Sequence, residues 1–75
     1  MKKDFAVNYD SRDGFDYDEC FQTLREAMHF YNNLSDSVPY KNLTYDDDRR
    51  GTLTLLTSNG ENNLRKYGFL PCDYN

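Results

Sequence analysis

His29 is the only histidine in the chain, so it is the first residue to consider for proton transfer near neutral pH. Glu26 and Tyr31 lie close to it in sequence, and a carboxylate can orient an imidazole that acts as a general base. No nucleophile motif accompanies this group, however. We interpret His29 as a polar residue on the solvent edge of a helix and expect no catalytic role for it.

Cys20 and Cys72 are the candidates for nucleophilic chemistry. A thiol reacts as its thiolate, and the acidic neighbours Asp18 and Glu19 disfavour that form at Cys20. Asp73 follows Cys72 directly, again without a nearby base. Two isolated cysteines do not form a disulfide framework, so we expect two reduced, inert thiols.

The segment from Asp46 to Gly51 shares its crowding of acids with a calcium-binding loop. A calcium-binding loop carries an oxygen ligand at its fifth position and a glutamate at its twelfth. Here these positions hold Arg50 and Thr57, so the pattern does not fit calcium. We therefore predict a solvated turn with self-neutralising charges. The chain has no phosphate-binding glycine loop, zinc spacing or nucleophile elbow either, so we predict no cofactor, no metal and no enzymatic activity.

Composition narrows the kind of partner. The 75 residues are enough for one domain, spanning residues 1–75, and their net charge is −4. Negative charge opposes nucleic-acid phosphates and anionic lipids, and it attracts basic proteins. Residues 1–4 precede no apolar run, so the sequence predicts no signal peptide, no membrane segment and a cytoplasmic location.

The helix is the clearest element. Thr23 and Glu26 form the capping-box pattern that starts a helix. The apolar residues that follow share one helical face: Leu24, Ala27, Met28, Tyr31 and Leu34. We predict a helix from Thr23 to Leu34, ended by Ser35-Asp36-Ser37 and Pro39.

Two hairpins flank this helix. In the first, Phe5, Val7 and Tyr9 alternate with Ala6, Asn8 and Asp10. After a turn at residues 11–14, Phe15, Tyr17 and Phe21 share the parity of one strand face. We predict that Tyr9 pairs with Phe15 and Val7 with Tyr17, which keeps both apolar sets on one face. In the second hairpin the inward residues are Leu43, Tyr45, Leu53 and Leu55, and the turn runs from Asp46 to Gly51.

The C-terminal part predicts a short helix from Ser58 or Asn59 through Tyr67, with Gly68 as a left-handed cap. Phe69, Leu70 and Pro71 then pack on the sheet. The expected fold class is α+β: a small, mainly antiparallel four-stranded sheet in ββαββ order, with the long helix on one face and a right-handed crossover between the second and third strands.

The pattern Phe21-x-Thr23-x-x-Glu26-Ala27 resembles strand-to-helix junctions in many unrelated small domains, including the arm-type DNA-binding domains of integrases. The resemblance spans seven residues. Such integrase domains need a basic sheet for DNA, whereas the corresponding hairpin here is acidic. A DNA-binding function is therefore not carried over.

Strand alternation predicts an acidic surface on the first hairpin. Its outward residues include Asp4, Asp10, Asp16 and Asp18, with no cation beside them in either strand. A row of carboxylates can imitate nucleic-acid phosphates and occupy a basic groove, whereas many strand exteriors are merely solvated. Tyr40 and Tyr45 are further candidates for partner binding, because tyrosine is favoured at interfaces, although ordinary packing also explains them.

The sequence thus predicts a non-enzymatic binding protein. Its expected partner is a protein with a basic surface, such as a nuclease or another nucleic-acid-handling complex. Small size, acidity and the lack of catalytic motifs are typical of phage counter-defence inhibitors such as anti-CRISPR proteins. The alternative is a homo-oligomerising or adaptor module that uses a sheet edge and exposed tyrosines.

Overall fold

The computed structural model describes residues 4–34 and 38–74. Within these ranges the chain forms β1 (Phe5–Asp10), β2 (Asp16–Phe21), α1 (Leu24–Asn33), β3 (Tyr40–Asp47), β4 (Gly51–Thr57) and a 3-10 helix (Pro71–Asp73). The sheet order is β2-β1-β3-β4, and all three neighbouring pairs are antiparallel. The predicted α+β class is confirmed, and the strand order that the sequence left open is now defined.

Helix α1 begins where its capping residues predict. The Thr23 hydroxyl accepts a hydrogen bond from the Glu26 amide at 3.2 Å and donates one to the Glu26 carboxylate at 2.9 Å. The first of these bonds satisfies a backbone donor that the first helical turn leaves without an intrahelical partner, and the second joins the two side chains.

The other end of α1 is held from the sheet. The Leu34 amide donates to the carbonyls of Phe30 and Tyr31. Lys41, on β3, donates to the Tyr31 carbonyl at 3.1 Å, and its ammonium lies 4.4 Å from the centre of the Tyr31 ring. A cation at this end complements the helix dipole. The predicted terminating residues Ser35-Asp36-Ser37 lie outside the described part of the chain.

The predicted register of the first hairpin is wrong by two residues. Tyr9 pairs with Tyr17, and Val7 pairs with Glu19. The connecting loop is longer than predicted: the Ser11 amide donates to the Phe15 carbonyl, and Gly14 adopts a positive φ of 86°. A shift of two residues preserves the faces of the strands, so each side chain stays on the face that the alternation predicts.

Strand β4 contains a bulge that the alternation pattern did not reveal. Leu43 pairs with Leu56 and Thr44 pairs with Thr54, which leaves Leu55 as an extra residue. Both Leu55 and Leu56 are buried, although consecutive residues of a regular strand point to opposite faces. The second turn is also shorter than predicted, because β3 continues to Asp47.

The predicted helix from Ser58 or Asn59 through Tyr67 is wrong. Asn63 instead runs beside β4, where its amide donates to the Leu55 carbonyl at 2.8 Å and its side chain donates to the Thr54 carbonyl at 3.1 Å. A single turn follows and ends at Gly68, whose φ of 90° confirms the left-handed cap.

The core lies between α1 and one face of the sheet. Its buried side chains are Phe5, Val7, Leu24, Ala27, Tyr31, Leu43, Leu55, Leu56 and Leu64. Phe69 packs against this cluster, as predicted. The same prediction is wrong for Leu70 and Pro71, which are exposed. In the described ranges, no helix has the length and apolar character needed to cross a membrane.

We predict that Thr23→Ala lowers the free energy of unfolding by about 1 kcal/mol, because the cap bond to the Glu26 amide is lost. Urea denaturation of both proteins gives the difference. Thr23→Ser is the matched control, since it retains the hydroxyl and should lie close to the wild type. Equal midpoints for the Ala and Ser variants would show that the cap contributes nothing.

Candidate partner-binding surface

The face of the sheet opposite α1 is called the open face here. Helix α1 contacts β1, β2 and β3 from the other side, and no described helix or strand packs on the open face. Strand alternation and register assign its residues: Asp4, Ala6, Asn8, Asp10, Asp16, Asp18, Cys20, Tyr40, Asn42, Thr44, Asp46, Thr52, Thr54 and Thr57. Most of these side chains are small, so the surface is suited to close approach by a partner.

Two carboxylates face each other at one end of the open face. Asp10 and Asp16 are direct cross-strand partners, and such pairs have Cβ atoms about 5 Å apart. A hydrogen bond between the two carboxyl groups, partial desolvation and the negative charge of Asp16 raise the pKa of Asp10. The two groups therefore resist being charged together.

Asp18 lies two residues further along β2 and is held in place by a neighbour. The Asn8 side-chain amide donates a hydrogen bond of 2.6 Å to the Asp18 carboxylate. A neutral donor fixes this carboxylate without cancelling its charge. The prediction that Asp10, Asp16 and Asp18 share a face agrees with this arrangement.

The other end of the open face also carries two acids. The Asp46 amide donates to the Asp4 carbonyl at 2.8 Å, which extends the β1–β3 register by one pair. Thr52 donates its hydroxyl to the Asp46 carboxylate at 2.8 Å. Asp46 was predicted to lie in a turn, so it was not counted among the open-face acids. Extending the alternation of Asn42 and Thr44 by two residues would have placed it there.

No lysine or arginine of the described strands lies on the open face. Lys41 belongs to the opposite face, where it contacts Tyr31. Asp47, at the end of β3, is different because it is neutralised: Arg50 forms a salt bridge to it at 3.0 Å. Hydrogen bonds from the Arg49 amide, the Arg50 side chain and the Arg50 amide lower the pKa of Asp47.

The structure separates the two tyrosines named as candidates. Tyr40 lies on the open face opposite Asp10, with 41% of its surface exposed, and its hydroxyl accepts a hydrogen bond from Asn42. Tyr45 lies on the helix side, where its ring packs 4.8 Å from that of Phe5 and 5.4 Å from that of Phe69. Tyr40 therefore joins the acidic residues, whereas Tyr45 does not.

The groups considered for catalysis are dispersed. His29 is exposed and shares a hydrogen bond of 3.0 Å with the Asn33 side chain, while the Glu26 carboxylate bonds to Thr23. Cys20 and Cys72 are exposed free thiols. In the described residues, no group of three or more histidine, cysteine or acidic side chains is placed to hold a metal ion.

Cys20 lies beside a solvent-open groove of about 480 Å³, together with Glu19, Phe21, Gln22 and Glu26. These neighbours include two carboxylates and no base or cation that would stabilise a thiolate. The groove is better suited to holding a positively charged side chain than to activating the cysteine.

Comparison with known proteins identifies no relative. No protein-family model, curated protein or solved structure matches the chain.

The Asp10–Asp16 pair predicts a specific pH dependence. Because the folded state raises the pKa of Asp10 above its usual 3.8, the stabilising contribution of this group is full below that value and is lost as the pH rises through the folded pKa. We expect Asp10→Asn to unfold at higher denaturant concentration than the wild type at pH 7 and to lose that advantage under acidic conditions. Urea titrations across this range measure the effect.

Glu61→Gln, which also removes one exposed carboxylate, is the control for the change in net charge. It should not reproduce the pH-dependent difference. A destabilised Asp10→Asn variant at pH 7 would contradict the repulsion between the two carboxylates.

Proposed function

We propose that this chain is a non-enzymatic binding protein that docks the open face of its sheet on a basic surface of another protein. The observation that carries the proposal is the placement of Asp4, Asp10, Asp16, Asp18 and Asp46 on one face of the sheet. No described helix or strand covers this face, and the described strands contribute no lysine or arginine to it.

The open face has the dimensions of a macromolecular contact. Asp4 and Asp10 are six residues apart along an extended strand, a span of about 20 Å. The small polar side chains of Asn8, Asn42 and Thr44 separate the two acidic ends. A partner with cations at two separated positions fits this pattern better than a single small ligand does.

Proteins that handle nucleic acids carry basic grooves that bind largely through phosphate charge. An acidic face can occupy such a groove and exclude the nucleic acid. We therefore propose an inhibitor or decoy acting on a nuclease or similar complex, as in phage counter-defence of the anti-CRISPR type. The proposal includes a cytoplasmic location, which the two exposed free thiols support.

An adaptor or homo-oligomerising module is the second candidate. The observation in its favour is the exposure of β2: all of its residues are exposed except Phe21, which is half-buried. Phe15, in the preceding loop, is 61% exposed, and Tyr17, on the strand, is 43% exposed. An interface of this kind depends weakly on salt, whereas charge-driven docking weakens steeply as ionic strength rises.

We predict that the triple variant Asp10→Asn, Asp16→Asn, Asp18→Asn folds normally and loses binding. The partner is first isolated by affinity capture from cells that express the chain, then purified. Surface plasmon resonance should show association at least about tenfold slower at low salt, with a flatter salt dependence. Double-stranded DNA should compete with the wild-type chain for the same partner.

The matched control is Asp13→Asn, Asp48→Asn, Glu61→Gln, which changes the net charge by the same amount from −4 but leaves the open face intact. It should bind almost as the wild type does. Full affinity of the open-face variant at low salt would remove the decoy proposal and leave the adaptor.

We also predict that His29→Ala and the double variant Cys20→Ser, Cys72→Ser retain binding and inhibition. These side chains are exposed and no catalytic partner contacts them in the described residues. The assay is activity of the purified partner with increasing amounts of each variant. Loss of inhibition by a folded variant would restore the enzymatic interpretation.

A further inference from the structure

Strand β2 is an edge of the sheet, since β1 is its only neighbour among the described strands. The Ser11 amide donates to the Phe15 carbonyl at 2.9 Å, which marks that pair as hydrogen-bonded. Hydrogen-bonded and non-hydrogen-bonded pairs alternate along an antiparallel ladder. The amides and carbonyls of Asp16, Asp18 and Cys20 therefore point away from β1.

The opposite edge is partly covered. Asn62 forms a bridge with Leu56 of β4, and Asn63 donates to the carbonyls of Leu55 and Thr54. The C-terminal segment thus occupies hydrogen-bonding groups that β4 would otherwise offer. Among the described residues, β2 is the edge that no other segment pairs with.

We propose that β2 accepts an extended, lysine- and arginine-rich segment of the partner protein as a fifth strand of the sheet. Backbone hydrogen bonds in strand addition supply affinity, and alternate side chains supply specificity. On the open face, the added strand would place its side chains beside Asp16 and Asp18. Cationic side chains complement these positions.

The helix side of the same edge favours a cation as well. Glu19, Phe21 and Glu26 line the groove beside β2. Two carboxylates next to an aromatic ring suit a lysine or arginine, because the apolar stem packs on the ring while the charged end reaches the carboxylates. Both faces of the edge therefore select the same partner chemistry.

A second copy of this chain is a poor occupant of the edge. Antiparallel pairing of β2 with itself would bring Asp16 and Asp18 of both copies together on the open face. Like charges placed directly opposite each other destabilise strand pairs. The acidic edge therefore disfavours self-association, which is a common means of protecting free strands.

This inference rests on the proposed function and adds how the partner is held. A suitable probe is a blocked peptide of about eight residues with alternating lysine and threonine, long enough to span β2. Amide hydrogen exchange, followed by NMR with and without the peptide, reports on each backbone group. We expect the amides of Asp16, Asp18 and Cys20 to exchange at least about tenfold more slowly with the peptide bound.

Cys20→Pro provides a variant test that leaves every charge in place. It removes one outward amide, and proline is tolerated on an edge strand where its nitrogen faces solvent. The peptide should bind about tenfold more weakly to this variant than to Cys20→Ser, which keeps the amide. Amide exchange rates in β1 and β3 that equal those of the wild type verify that the proline variant is folded. If the variant is not folded, the exchange data on the wild-type chain test strand addition by themselves.

Three results would overturn strand addition. The peptide does not bind, or it binds without slowing exchange at the three amides. In the third, exchange at these amides slows when the protein concentration is raised without peptide, which would show that a second copy occupies the edge. The second of these leaves charge-driven docking on the open face intact. Failure of the proposed function appears separately, as full affinity of the open-face Asn variant for its purified partner.

Discussion

Burial of Val7 against Leu43 is the constraint on which the rest of the structure depends. These residues are cross-strand partners on the two central strands, and both are fully buried beneath α1. Because side chains alternate along a strand, fixing them on the helix side fixes Asn8 and Asp10 on the opposite side. The acidic open face is therefore a direct consequence of core formation. A register slip of one residue would bury the acids and expose the core.

The same arrangement sets stability against function. Asp10 and Asp16 repel each other across the β1–β2 pair, whereas Asp47 is neutralised by Arg50 at the second turn. The arginine that neutralises Asp47 thus lies at a turn, whereas the described strands place no lysine or arginine beside the acids of the open face. A basic partner would relieve that repulsion, so binding and stabilisation should be coupled.

Local and periodic signals in the sequence predicted the class of fold, the helix with its Thr23 cap, and the face assigned to each strand. They did not predict the register, because a shift of two residues preserves every face and the true loop extends to Phe15. The bulge at Leu55 and the extended path of Asn63 arise from tertiary hydrogen bonds that no local pattern encodes. Strand alternation thus located most of the acidic surface, whereas the groove beside β2 required knowledge of the sheet edge.

The central claim is that recognition takes place on the open face and the adjoining β2 edge. Chemical-shift mapping of the isotope-labelled chain, in complex with its purified partner, tests this most directly. The account predicts that the largest changes occur at the open-face residues of β1 and β2, with small changes on the outer surface of α1. A footprint centred on α1 or on the C-terminal segment, with Asp10, Asp16 and Asp18 unchanged, would contradict it.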